Sequence, residues 1–328
     1  MNFPELSLLK NRSADSLARA ENPKGMILFH TGVVLLLALL IALVDHLLAQ
    51  AIENTGGLAG MTTRSMLSTA QSTLHILQIA FIPFWQMGYT FYTLQVARGN
   101  ATGYGTFAEG LRRFGAVLRL NLFTGAIYML VSIAAAYVSS FLFMMSPWGA
   151  AMLEPIYEMA YSGAMDTEAL EQVINTISVD AALPIFLIFI PCFLLLCAPF
   201  FYRFRMAAFW LMDHPKGGAL AAMHNSRKML QGKRMALLRM DLRFWWFYLL
   251  DLLVTAICYG DLLLETLGVA LPFSQDAAYF IFLGIYMICQ LALYYWRQNE
   301  VGLTYAHLYL DLNVETPTED APQKPWPV

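Results

Sequence analysis

The stretch HNSRKMLQGKRMALLRMDLRFWWFYLLD, residues 224–251, carries Lys and Arg throughout its first twenty positions and then turns apolar and aromatic. Three readings fit such a pattern: a nucleic-acid patch, a helix on a membrane surface, or the basic approach to a buried span. Composition decides against the first. The 328 residues are 58% hydrophobic and only 13% charged, with a mean hydropathy of +0.54. Soluble domains carry about 25% charged residues, so this chain lacks the charge to keep its surface wet. The net charge of −3 gives nucleic acid no electrostatic hold. The expected fold is all-α: a polytopic membrane protein.

A span takes about 20 mostly apolar residues to cross about 30 Å of hydrocarbon. Six segments meet this, near 26–48, 74–97, 120–143, 181–203, 244–264 and 277–296, within a transmembrane domain over 26–312. A short N-terminal arm over 1–25 precedes it, and a proline-rich tail over 313–328 is expected to be disordered. Pro83 falls in the second span, and Pro184, Pro191 and Pro199 in the fourth. Kinks are expected there, because proline removes a donor from the helix ladder.

The basic residues set the orientation. The arm holds Lys10, Arg12, Arg19 and Lys24, and the loop after the second span holds Arg98, Arg112, Arg113 and Arg119. Between the fourth and fifth spans lie Arg203, Arg205, Lys216, Arg227, Lys228, Lys233, Arg234, Arg239 and Arg243; Arg297 and Lys324 follow the sixth. Arg64 alone lies on the other side. The positive-inside rule then makes both termini cytoplasmic. The loop over 146–180 is acidic, with Glu154, Glu158, Asp166, Glu168, Glu171 and Asp180 and no Lys or Arg. Within it, DTEALEQVINTIS reads as a short amphipathic helix capped by Asp166, with Leu170, Val173, Ile174 and Ile177 on one face.

The opening stretch has an echo. Residues 116–122 read AVLRLNL and residues 236–242 read ALLRMDL, so that Ala116, Leu118, Arg119 and Leu122 recur 120 positions later. Each copy follows a basic loop and leads into an outward-going span, as in a parallel repeat. Each is also read as an amphipathic interfacial helix, in one of two cytoplasmic loops. In the second loop Leu220, Met223 and Leu230 recur at helical spacing while Arg227 and Lys228 point elsewhere. Beyond Gly232, a natural break, Met235, Leu238 and Leu242 make a second stripe, with Arg239 and Arg243 one turn apart. Such segments lie with apolar faces in the headgroups and cations toward anionic phosphates. Trp245 and Trp246 stand where an aromatic belt belongs. The expected interface residues are therefore Arg119, Arg227, Lys228, Lys233, Arg234, Arg239, Arg243, Trp245 and Trp246.

Around these residues the chain resembles the bacterial integral-membrane family catalogued as domain of unknown function 975. That family shows an "MA…ADnP…A…S…M.G.K…L.LSFIGW" run after its fourth span. The counterpart here is FYRFRMAAFWLMDHPKGGALAAMHNSRKMLQGKRMALLRMDLRFWW, residues 201–246. The matching positions are Met206, Ala207, Asp213, Pro215, Ala219, Ser226, Met229, Gly232, Lys233, Leu237 and Leu242. Two departures are His214 in place of Asn and LRFWWF in place of LSFIGW. The resemblance implies a multi-pass protein of the bacterial plasma membrane and no catalytic residues.

Ionisable groups within spans are costly, so each is a candidate site. Asp251 lies about 10 Å into the fifth span at 1.5 Å per residue, and Gln290 reaches a similar depth on the sixth. A hydrogen bond between them is the structural expectation, a proton- or substrate-linked carboxylate the functional one. Asp45 and His75 stand at similar heights on the first and second spans, as an ion pair or a relay. Gln86 follows Pro83 near the midplane, where it would line a cavity or bond within the core.

No Walker loop, GxSxG, HExxH or CxxC occurs, and the glycine-rich GNATGYGTFAEG at 99–110 follows a membrane helix rather than a strand. Cys192, Cys197, Cys258 and Cys289 sit in apolar runs with neither zinc nor disulfide spacing. No cofactor and no catalytic role is expected. The leading reading is a non-enzymatic, lipid-associated scaffold or accessory subunit. Its expected partners are anionic lipids and another membrane protein or a second copy, not nucleic acid. The alternative is a small transporter or permease component with a polar cavity near Asp251, Gln86 and Gln290. A lipid-directed intramembrane enzyme ranks third.

Overall fold

The computed structural model describes residues 5–54, 60–150, 187–261 and 274–315, with isolated positions 154, 161, 264 and 272. Every regular element among them is helical. In chain order these are α1 Leu6–Arg19, α2 Pro23–Asn54, α3 Gly60–Ala97, a 3-10 turn Tyr104–Ala108, α4 Glu109–Arg112 and α5 Phe114–Met144. Then follow α6 over 187–204, α7 Ala207–Asp213, α8 Ala219–Met229, α9 Arg234–Arg243, α10 Trp245–Ile257 and α11 Gln275–Glu315. The amphipathic helix expected over 166–178 lies outside the described residues.

Four described segments are long and apolar enough to cross a membrane: Pro23–Ile52, Phe114–Met144, Leu187–Asp213 and Asp276–Val314. The expected second span, 74–97 on α3, is not among them; it carries His75, Gln78, Gln86 and Gln95. The expected fifth span falls on α10, whose 13 residues cover only about 20 Å at 1.5 Å each. Helix α3 continues unbroken through Pro83. Helix α11 continues three residues into the tail expected to be disordered, ending at Glu315.

The chain divides into two compact units, one of Met1–Leu120 with Met206–Val328, the other Asn121–Arg205. The second unit holds most of α5 and all of α6, and no residue of 187–205 is buried. The first unit holds a packed end. Helix α11 has 41 residues, about 60 Å at 1.5 Å per residue, which is twice the hydrocarbon thickness. Its first half leaves Ile281, Ile285 and Ile288 exposed, while Val301, Leu303, Tyr305, Ala306, Leu308 and Tyr309 in its second half are buried.

Local chemistry fixes this end. Asn22 caps α2, its Oδ1 accepting from the Gly25 N–H at 3.0 Å, and Pro23 takes the first helical position. Helix α3 stops in a Schellman turn at the left-handed Gly99, where the Gly99 N–H donates to Val96 O and the Asn100 N–H to Gln95 O, each at 3.0 Å. The chain then doubles back, and Phe107, fully buried, enters a cluster with Met26, Ile27, Trp85, Tyr89, Tyr92, Val96 and Leu303. A Cβ on Gly88 would strike the Phe107 backbone, and one on Gly110 would strike the Phe84 carbonyl. The glycine-rich stretch is therefore a backbone-on-backbone plug. Helix α1, in the N-terminal arm, lies along α11: Arg12 donates to both carboxylate oxygens of Asp311 at 2.9 and 3.0 Å, and Ser13 and Ser16 meet Thr304 and His307.

Candidate membrane-interface site

Helices α8 and α9 form the elbow that the opening stretch encodes, joined through Gly232 at φ +76. Backbone in that region strains any residue with a Cβ, which explains a glycine at the joint. Helix α8 turns Ala219, Ala222, Met223, Ser226 and Met229 inward. Met223 and Leu230, expected to face headgroups, are instead buried in protein, and of that stripe only Leu220 is exposed. Periodicity identified an apolar face and could not say what covers it. On α9 Leu237 and Met240 are buried, while Met235 and Leu242 are exposed. Arg239 and Arg243 share that open side.

The echo holds in three dimensions. Helix α5 begins at Phe114 and α9 at Arg234, again 120 positions apart. Val117 and Leu237 are both fully buried, as are Leu120 and Met240 to within 2%. Arg119 and Arg239 are both exposed, and Leu122 and Leu242 are exposed by 60% and 58%. After that the copies part: Phe123 stands where the second has Arg243, and α5 runs on where α9 stops at Phe244.

Six cations pair with acids, while Arg19, Lys24, Arg64 and Lys216 are exposed with no ion pair among the described residues. Lys10–Glu300 at 3.9 Å, Arg12–Asp311 at 2.9 Å, Arg98–Asp213 at 2.6 Å and Arg113–Glu109 at 3.1 Å are paired within the packed end, as are Arg112–Glu109 and Arg297–Glu300. Arg119, Arg227, Lys228, Arg239 and Arg243 are exposed and make no ion pair among the described residues. Lys233 and Arg234 are half-buried at the joint.

Aromatic rings border the elbow. Trp245 is exposed, and Trp246 lies 5.5 Å from Trp296, with the Arg297 guanidinium 5.7 and 5.0 Å from the two ring centroids. Lys10 covers the Phe244 ring at 4.7 Å and Lys24 the Tyr295 ring at 5.1 Å. Cation–π contact of this kind favours a charge beside an aromatic surface, and Lys10 and Arg297 also pair with Glu300.

Two of the polar pairs read from the sequence meet. The Gln290 amide donates to Asp251 at 2.7 Å, with Tyr294 beside both, and Gln290 is 5% exposed. His75 Nε2 lies 3.3 Å from Asp45 Oδ1; next to it, His46 approaches Asp276 at 3.8 Å. Gln86 does not join them. Its side chain is exposed, and its main-chain carbonyl accepts from Thr90 at 3.1 Å.

Asp213 had no assigned role beyond its place in the family run, yet it gathers three elements. It accepts from Arg98 on the α3 end at 2.6 Å and from the Tyr309 hydroxyl on α11 at 2.8 Å. Arg113 caps the same turn of α7, donating to the Leu211 and Met212 carbonyls at 3.1 and 2.8 Å. Ser226 of the run accepts from the Met206 N–H at 3.2 Å. Most positions of the run, Met206, Ala207, Ala219, Ser226, Met229 and Leu237 among them, are buried. The run encodes packing.

A family model described as "Protein of unknown function (DUF975)" matches residues 22–300. No curated protein and no solved structure matches the chain.

Proposed function

The chain belongs to the DUF975 family, and from that premise we propose that it is a non-enzymatic, multi-pass protein of the bacterial plasma membrane that holds anionic lipid at the cytoplasmic leaflet, as a scaffold or accessory subunit. One observation carries this reading: the division of the cations. Acids pair six cations of the packed end, whereas Arg119, Arg239 and Arg243 on or beside the echoed segments, and Arg227 and Lys228 on α8, have no ion pair among the described residues. Unpaired Arg beside exposed Leu, Met and Trp is the chemistry of a headgroup layer. Both termini and the packed end then lie in the cytoplasm, as the basic residues require.

The transporter reading has less to support it. The Gln290 amide nitrogen donates to Asp251 across α10 and α11, its buried Oε1 has no hydrogen-bond partner among the described residues, and the Gln86 side chain is exposed. That pair acts as polar glue between helices.

The test is thermal stability after reconstitution in nanodiscs. Discs containing anionic phosphatidylglycerol should raise the melting midpoint over purely zwitterionic discs, and the gain should shrink as salt rises. Equal midpoints in the two lipids would remove the proposal.

A further inference from the structure

We propose that Arg239, Arg243 and Trp245 form a discrete site for one phospholipid with a dianionic phosphate headgroup, rather than contributing only to a diffuse basic surface. The inference deepens the lipid-holding role and rests on it. Arg239 and Arg243 are four residues apart on α9, so both guanidiniums rise from one face about 6 Å apart along the axis. Two guanidiniums at that spacing can each donate in parallel to a phosphate's oxygens, a geometry that ammonium groups lack. Neither has an ion-pair partner among the described residues. Asp241, between them in sequence, is half-buried on another side of the helix.

Depth selects a lipid over a free ion. Arg243 lies two residues before Trp245, which is 59% exposed, and α10 then presents Leu249, Leu250, Leu252 and Leu253 outward. Tryptophan marks the headgroup level and those leucines the acyl level, so the arginines stand at phosphate height. Met235 and Leu242 on the same open side offer apolar surface to the glycerol and upper acyl chain. The first echo supplies an internal comparison. It keeps Arg119 and exposed Leu122 but has Phe123 in place of the second arginine, so it is suited to a single charge.

The experiment is native mass spectrometry of the full chain, released from nanodiscs holding equal phosphatidate (a phosphomonoester) and phosphatidylglycerol (a phosphodiester). Phosphatidate should be retained preferentially, one molecule per chain. Arg239→Gln with Arg243→Gln should cut that retention about tenfold, whereas Arg227→Gln with Lys228→Gln, removing the same charge, should cut it less than about twofold. An unchanged melting midpoint in detergent certifies that both exposed double variants fold. Millimolar inorganic phosphate should leave the adduct in place. Equal losses from the two double variants, equal retention of the two lipids, or displacement by inorganic phosphate would each overturn the site. If anionic and zwitterionic discs also fail to differ in stability, the broader role falls as well.

Discussion

The two halves of α2, α3 and α11 are continuous helices that obey opposite rules. At one end, Ile27, Trp85, Tyr89, Tyr92, Phe107 and Leu303 form one buried cluster, and several polar groups are answered across helices. Trp85 donates to the His30 carbonyl at 3.1 Å, Asn299 to the Pro23 carbonyl at 2.8 Å and Tyr89 to the Gln298 carbonyl at 3.0 Å. Toward the other end Leu36, Leu40, Ile76, Leu77, Ile281 and Ile288 face outward. Apolar side chains gain from burial only where water is the alternative. Lipid tails are as apolar as leucine and give no such drive. On the proposed reading, the packed end is the part of the fold that water holds together, and the exposed halves are the part that lipid covers.

Substitutions can break this contrast. The largest effect is expected for Phe107→Ala, which empties the middle of the aromatic cluster and should cost about 3–5 kcal/mol. Leu40→Ala in an exposed half should stay within about 0.5 kcal/mol. Denaturant titration in micelles measures both, and similar losses would erase the distinction. Next comes Gly88→Ala, which drives a Cβ into the Phe107 backbone and should cost about 1–3 kcal/mol. Gly32→Ala has nothing within 4 Å of the new atom and should be neutral or slightly stabilising in the same titration. The smallest effect belongs to Gln290→Leu. Severing the bond to Asp251 within the apolar region should cost about 0.6 kcal/mol. A loss several times larger would show that Asp251 depends on this contact for more than glue.

The same contrast explains what the sequence could tell. Apolar length located α2, α5, α6 and α11, and equal heights on neighbouring helices anticipated that Asp251 would meet Gln290 and Asp45 would meet His75. The repeat was legible from four identical residues, because burial and sequence share a period. The packed end was not legible. Its plug is a glycine-rich loop whose one phenylalanine carries the burial, and glycine spacing does not reveal which backbone will approach. Met223 and Leu230 misled for a related reason: an apolar face reads alike whether protein or lipid covers it. Asp213 was visible only as a family position, since a carboxylate's partners, here Arg98 and Tyr309, come from distant parts of the chain.

Nitroxide labelling along α11, in a chain whose native cysteines are replaced, addresses the central division most directly. Labels introduced by Ile288→Cys and Val314→Cys sit at exposed positions in the two halves of one helix. Relaxation by oxygen should dominate at 288, where hydrocarbon is expected, and relaxation by a water-soluble nickel chelate should dominate at 314. Nickel access at 288 equal to that at 314 would contradict the account.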